Sequence, residues 1–267
     1  MCLRAMAAAL TARVADVFDW DMGSEHEMRD KLTYRDRMLP VQAEQSSLFE
    51  GDATALLDQM YRAMTATCGL ASPLSELSLE LTPLHRIEEM ASAPLNLRFL
   101  QLLVMMTGAH RVLEIGSFIG VSAIYMAKAL PEGGHLVTIE KFDHFAGICR
   151  QNFAANEVSD RIELIEGDAF DVLDRLTEKE PFDIAVIDGD KGRYDSYFAM
   201  VDKLVRPGGL VYVDDVFFHG DALNQNPTTE KGRGVQRFLD ALSKSQDYVC
   251  SVLPIANGVA LAIKRNT

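Results

Sequence analysis

From Arg111 onward the chain repeats one pattern: a short run rich in Val, Ile and Leu, an acid or glycine at its end, then a segment of helical periodicity. The runs are RVLEIG (111–116), HLVTIE (135–140), IELIEGD (162–168), the start of FDIAVIDGDK (182–191) and LVYVDDV (210–216). Between them lie VSAIYMAKAL, FDHFAGICRQNFAANEV with Asp143 as its expected N-cap, AFDVLDRLTEK, and RYDSYFAMVDKLV, which stops at Pro207-Gly208-Gly209. Apolar, β-branched runs of this length read as strands buried on both faces, the situation of a parallel sheet. Strands that alternate with helices are joined by right-handed crossovers, which narrows the topology sharply. After a further helix, GRGVQRFLDALSK, the segments YVCSVLPI and GVALAIKR flank Ala256-Asn257-Gly258 and read as a hairpin through an Asn-Gly turn. The expected fold is α/β, a doubly wound sheet with one antiparallel strand.

Residues 1–110 carry no strand pattern. ATALLDQMYRAMTATCG reads as a helix capped by Asp52 and ended near Gly69, and LNLRFLQLLVMMTG as another ending at Gly108. The opening stretch, MCLRAMAAALTARVADVFDWD, is broken by Arg13 and Asp16 and is read as an amphipathic helix with Met6, Leu10, Val14 and Val17 on one face, not as a signal peptide. The expected division is a helical extension over 1–80 and a second unit over 81–267.

The 267 residues contain no apolar run of about 18, so no membrane span is expected. Cys2, Cys68, Cys149 and Cys250 are scattered without a CxxC pair, which suits reduced thiols in a cytoplasmic protein. A net charge of −13 argues against a nucleic-acid partner and leaves room for a cationic ligand or a metal ion.

In an open α/β sheet, ligands bind beyond the carboxyl ends of the strands, so the residues there are the candidates. EIGSFIGVS (114–122) comes after the first strand and opens a helix; Gly116 permits a tight turn, Gly120 lets the helix approach, and the helix N-terminus offers free N–H groups. Its glycine spacing is not the dinucleotide G-x-G-x-x-G. Glu140, 24 positions after Gly116, ends the second strand where an acid can accept bonds from both hydroxyls of a ribose; a solvated strand end is the alternative. Asp168 ends the third, where it can face an adenine amino group beside the backbone N–H of Ala169; a helix N-cap is the plainer reading, and Asp168 can serve as one at the same time. The fourth strand is the most telling, because its greasy core, Ile184-Ala185-Val186-Ile187, breaks off in Asp188-Gly189-Asp190-Lys191.

This series of strand ends resembles the class I S-adenosylmethionine-dependent methyltransferases. VIDGDKGRYDSYF and GGLVYVDDVFFHG resemble the paired metal-site motifs of the cation-dependent O-methyltransferases, the caffeoyl-CoA and catechol type, over about residues 84–267. The resemblance implies a Rossmann-like, seven-stranded sheet and makes 81–267 the methyltransferase domain. It implies S-adenosylmethionine contacts at Glu114, Gly116, Ser117, Ser122, Glu140, Asp168, Ala169 and Asp188. Asp188 resembles the first metal ligand, Asp214 the second and Lys191 the catalytic lysine. The third ligand is usually asparagine in this family; here it is Asp215, with a loop cap as its alternative role. Carboxylate donors suit a hard divalent cation, Mg²⁺ for preference. A cation so placed would acidify an acceptor hydroxyl, and Lys191 beside it would lose its proton and act as general base. Asp190 is assigned to the surroundings, and Phe217, Phe218 and His219 either to the substrate pocket or to a hydrophobic loop contact.

The expected activity is methyl transfer from S-adenosylmethionine to a hydroxyl of a small catechol-like or natural-product acceptor. The alternatives are a metal-independent small-molecule methyltransferase, a non-catalytic S-adenosylmethionine-binding protein, and a polyamine synthase, whose glycine turn is normally denser than GSFIG. No HExxH, G-x-S-x-G or P-loop competes. A homodimer is expected, with the N-terminal helices at its interface.

Overall fold

The computed structural model describes residues 53–69, 77, 91–176 and 180–266. In chain order these form α1 (Ala53–Thr67), α2 (Pro94–Thr107), β1 (Arg111–Ile115), α3 (Val121–Ala129), β2 (His135–Glu140), α4 (Asp143–Ala155), β3 (Ile162–Glu166), α5 (Ala169–Leu176), β4 (Phe182–Ile187), α6 (Tyr194–Leu204), β5 (Val205–Val213), α7 (Glu230–Lys244), β6 (Tyr248–Leu253) and β7 (Val259–Lys264). Short 3₁₀ segments at Lys191–Arg193 and Phe218–Leu223 connect β4 to α6 and β5 toward α7. The expected helix around Met6, Leu10, Val14 and Val17 and the Asp52 cap lie outside the described residues.

The strands form one sheet in the order β3-β2-β1-β4-β5-β7-β6. The pairings from β3 through β5 are parallel, and β7 alone runs against its neighbours on both sides. This is the Rossmann-like, seven-stranded arrangement that the motifs imply. Strand order reverses between β1 and β4, so the carboxyl ends of those two strands flank the crevice where such sheets take ligands.

Side chains alternate across the sheet with period two. Leu113, Ala185, Ile187, Val211 and Val213 face α5, α6 and α7, through Val172, Leu173, Val201, Val235 and Phe238. Val112, Ile184, Val186, Leu210 and Tyr212 face α2, α3 and α4, through Leu100, Val104, Ile124, Cys149 and Phe153. α2 starts with Pro94, whose missing N–H costs nothing at a first turn, and stops at Gly108 in the left-handed region (φ 60°). Its buried residues, Asn96, Leu97, Leu100 and Val104, lie at helical spacing, so α2 belongs to the body of the domain.

Four local expectations are corrected. Asp143 is the first residue of α4 and Phe142 its N-cap; the Asp143 carboxylate accepts from the N–H of His144 instead. Pro207-Gly208-Gly209 does not close α6, which ends at Leu204; those residues lie within the span of β5, where the register against β4 shifts. β5 ends at Val213, so Asp214 and Asp215 stand beyond it. The β6–β7 hairpin turns through residues 254–258, not through two residues, with Ala256 (φ 47°) and Gly258 (φ 89°) both left-handed. That turn also bonds the loop after Asp215: Val216 N donates to Gly258 O at 3.0 Å and Phe217 N to Asn257 O at 2.8 Å.

Candidate active site at the carboxyl edge of the sheet

The backbone ladder runs one step past the strands and aligns the residues just beyond them. Gly116 N donates to Ile139 O, Gly167 N to Glu140 O, Asp188 N to Ile115 O and Asp214 N to Ile187 O, at 2.9–3.0 Å. The predicted residues of β1, β2, β4 and β5 are thereby held in one row. Gly116 (φ 97°) has no room for a side chain, because a Cβ there would lie 2.5 Å from Asp188 O and 2.9 Å from Asp188 C. The turn after β1 therefore packs directly on the backbone that carries Asp188. Gly120 is likewise closed off, by the Phe153 ring.

On the β1–β2 side the acids are buried and answered by neutral donors. Glu114 is 1% exposed and accepts from the Thr138 hydroxyl at 2.5 Å and from Ser122. Ser117 turns its hydroxyl inward to Thr138. Burial pushes the Glu114 carboxyl up to about 7, against the pull of those hydroxyls. Glu140 accepts from Phe118 N at 2.8 Å and Phe142 N at 3.0 Å, yet its burial still raises its pKa. Thr138, fully buried and central to the network, was not singled out from sequence; a lone polar residue inside HLVTIE was the available signal.

Asp168 sits differently. It accepts from Phe170 N at 3.0 Å, capping α5, and pairs with Arg193 at 3.0 Å and Lys141 at 3.3 Å. Burial opposes its charge, but these bonds outweigh it and hold the carboxyl below the usual range. Asp168 thus caps α5, and Ala169 stands next as the first residue of that helix.

On the β4–β5 side the acids meet a cation. Lys191 Nζ lies 2.8 Å from Asp188 Oδ1 and 3.6 Å from Asp215 Oδ2. Desolvation works to lower the pKa of Lys191, but Asp188 and Asp215 prevail and hold it well above the ordinary value. As it stands, Lys191 is an ammonium paired with these two acids. Asp214, 6% exposed, accepts on Oδ1 from Asn96 Nδ2 at 2.7 Å and from Asp215 N at 2.8 Å. Burial, with Asp188 adding repulsion, raises its pKa. Asp215 adopts φ 57°, a left-handed conformation that Asp and Asn tolerate best after glycine. Its burial also raises its pKa, opposed by Lys191 and His219, and its Oδ1 has no partner. Tyr194 donates its hydroxyl to Asp214 O at 3.1 Å. Asp190 is exposed and holds Gly192 N at 3.1 Å. Phe217 is buried, Phe218 half-buried and His219 exposed; Phe218 and His219 are left-handed as well, so the backbone beyond Asp214 is strained over consecutive turns.

Asn96 was missed. It reaches Asp214 from α2, 118 residues away in sequence, and its own Oδ1 is buried without a partner. An asparagine on the apolar face of LNLRFLQLLV was the only hint.

The donor chemistry fits both groups expected here. Buried carboxylates at successive strand ends suit a cofactor carrying a sulfonium and an ammonium. Oxygen donors at Asp188, Asp214 and Asp215, one of them unsatisfied, suit a hard cation. Among the described residues, no three carboxylate, imidazole or thiol side chains form a ready-made metal cage; Lys191 stands among these acids. No helix among the described residues is long and apolar enough to cross a membrane.

The family profile described as O-methyltransferase matches residues 65–265. A catechol O-methyltransferase of Niastella koreensis is 35% identical over 173 residues, covering 62% of this chain and 78% of that protein. Caffeoyl-CoA O-methyltransferase 2 of Zea mays is 33% identical over 195 residues, covering 68% and 73%. The crystal structure of an O-methyltransferase from Streptomyces achromogenes involved in tomaymycin synthesis, in complex with SAM, superposes with a TM-score of 0.64 at 29% identity, covering 87% of this chain and 99% of that one.

Proposed function

The chain belongs to the S-adenosylmethionine-dependent O-methyltransferase family, and from that premise we propose that it methylates one hydroxyl of a small catechol-like or natural-product acceptor with the help of a divalent cation. The observation that carries this reading is the meeting of Asp188, Asp215 and Lys191, at 2.8 and 3.6 Å, one step beyond the strand ends that hold the cofactor turn. The cofactor supplies an electrophilic methyl group; the chain supplies alignment and charge. Glu114, Glu140, Asp168 and Asp188, with the backbone of Gly116, Ser117 and Ala169 and the hydroxyl of Ser122, form the cofactor side.

Asp188, Asp214 and Asp215 would hold the cation, Mg²⁺ for preference, which would lower the pKa of an acceptor hydroxyl. With the cation taking over Asp188 and Asp215, Lys191 would release one proton to solvent, and its neutral Nζ would then accept the proton of the acceptor hydroxyl. Asn96 Nδ2 keeps one Asp214 oxygen fixed while this happens. Two adjacent acceptor oxygens fit such a centre better than one, which favours a vicinal diol or catechol.

The metal-independent alternative draws on a specific observation, that Lys191 already neutralises these acids and no ready-made cage exists among the described residues. A methyl-transfer screen over catechols and other vicinal diols, with Mg²⁺ and with excess chelator, separates the two. Turnover that chelator abolishes and Mg²⁺ restores is expected. Full turnover in excess chelator would replace this reading with the metal-independent one. The reading also includes a cytoplasmic homodimer through the N-terminal segment, which light scattering on the full chain and on a chain starting near residue 52 tests.

A further inference from the structure

The turn that carries Lys191 is held from outside the strands, by α7. Gly234, in the first half of α7 and buried, faces the Lys191–Gly192 peptide. A Cβ at Gly234 would come within 2.6 Å of Gly192 C and Cα, and closer still to the Lys191 carbonyl oxygen. Those are backbone atoms, which cannot swing aside as a side chain does. Apart from proline, glycine is the least favoured residue inside a helix, so its presence here needs a packing reason. One turn on, Arg237 donates from Nη2 to Gly192 O at 2.9 Å, while its other nitrogens hold Asp195 at 2.9 Å and Glu230 at 3.2 Å. From below, the Asp190 carboxylate holds Gly192 N. Both polar groups of the Gly192 backbone are therefore taken, one by α7 and one by the turn itself.

The same helix grips the other side of the site. Gly232 faces the Asp221 carboxylate, with room for no side chain, and Asp221 in turn accepts from the N–H and hydroxyl groups of Thr228 and Thr229. Asp221 belongs to the segment that comes after Asp214 and Asp215. Phe238 packs edge-on against Tyr194, whose hydroxyl bonds Asp214 O. α7 thus touches the lysine-bearing turn through Gly234 and Arg237, Tyr194 through Phe238, and the chain beyond the paired aspartates through Gly232.

The geometry points to Gly234 as a positioning residue for Lys191: the bare backbone of α7 sets where the Lys191–Gly192 peptide lies, and so where the amine stands relative to Asp188 and the acceptor. This rests on the reading of Lys191 as the base. The test uses the full-length protein. In Gly234→Ala, amide hydrogen exchange over residues 190–194 is expected to rise at least tenfold while that of β1 and β4 is unchanged. Binding of S-adenosylhomocysteine, measured by calorimetry, stays within twofold. With a catechol as acceptor, kcat falls at least tenfold and KM changes less than threefold. Arg237→Gln, an exposed change, gives a smaller shift of the same kind and stands in should the alanine variant fail to fold.

The decisive comparison is made in a Lys191→Met background, where Gly234→Ala should cost nothing further. Unchanged exchange over 190–194 overturns the proposal, whatever the acceptor. So does an equal loss of turnover with and without Lys191. If Lys191→Met alone keeps full turnover, the reading of Lys191 as base fails, and the positioning role fails with it.

Discussion

The two halves of the carboxyl edge carry buried negative charge in opposite ways. Around β1 and β2, Glu114 and Glu140 are answered by hydroxyls and backbone N–H groups, all fixed by the strands and the turn after Gly116. Around β4 and β5, Asp188 and Asp215 are answered by one mobile-stemmed ammonium, and an oxygen of Asp215 is left over. The first half is complete without a ligand and is suited to receiving a cation as a whole molecule. In the second, the neutraliser is a single ammonium on a flexible four-carbon stem. Buried carboxylates left unpaired are strongly destabilising, so this half depends on one side chain, Lys191, whereas the first depends on no single donor.

The largest effect that would sharpen this contrast is on the second half. Lys191→Ala is expected to lower turnover about 10²–10⁴-fold, the range for a general base, with cofactor binding almost unchanged. Steady-state kinetics together with calorimetry check it; a loss of cofactor affinity as large as the loss of turnover would mean that the halves are not separable.

The next effect belongs to Glu114 and is read as stability against pH. Its carboxyl stands near 7 in the folded protein and 4.5 in the unfolded chain. Between those values the folded form holds a proton that the unfolded form has released, so stability falls as pH rises through this window and stays reduced above it. Glu114→Gln should remove that slope. Without ligand, the variant should gain on the parent by up to about 3 kcal/mol above pH 7 and by little near pH 4.5. Urea unfolding at both pH values measures it. Equal differences at the two would show that the hydroxyls of Thr138 and Ser122 already compensate the charge in full.

The smallest effect is on Glu140. Its substitution by alanine is expected to weaken cofactor affinity by about 1.5–3 kcal/mol, as for the loss of a charged hydrogen-bonding partner. Unchanged affinity by calorimetry would restrict Glu140 to holding Phe118 and Phe142, and would move the contrast wholly onto β1.

How far this edge could be read from sequence depends on the range of the contacts. β1, β2 and β4 were legible because Val112–Ile115, Leu136–Ile139 and Ile184–Ile187 are short, mainly apolar runs that end in Gly116, Glu140 and Asp188. The antiparallel β7 was implied by the hairpin, although its turn needed two left-handed residues where the Asn-Gly pair suggested one tight corner. The end of β5 was misplaced because Asp214 N still bonds Ile187 O, so strand-like backbone outlasts the strand. Asn96 on Asp214 and Arg193 on Asp168 were not legible, since neither partner lies within the local window in which periodicity operates. The pairing of Lys191 with Asp188 and Asp215 was not legible for a related reason: it depends on how near those acids come, which spacing along the chain does not give.

The bonds from Val216 and Phe217 to Gly258 and Asn257 also have a consequence in time. A polypeptide is made from its amino end, and elements that need distant partners settle last. The turn after β1 can close as soon as β2 and β4 exist. The loop beyond Asp215 cannot, because its backbone partners lie about forty residues downstream, almost at the end of the chain. A nascent chain stalled before the hairpin would therefore have every partner of the turn after β1 in hand while the loop beyond Asp215 still lacked its own.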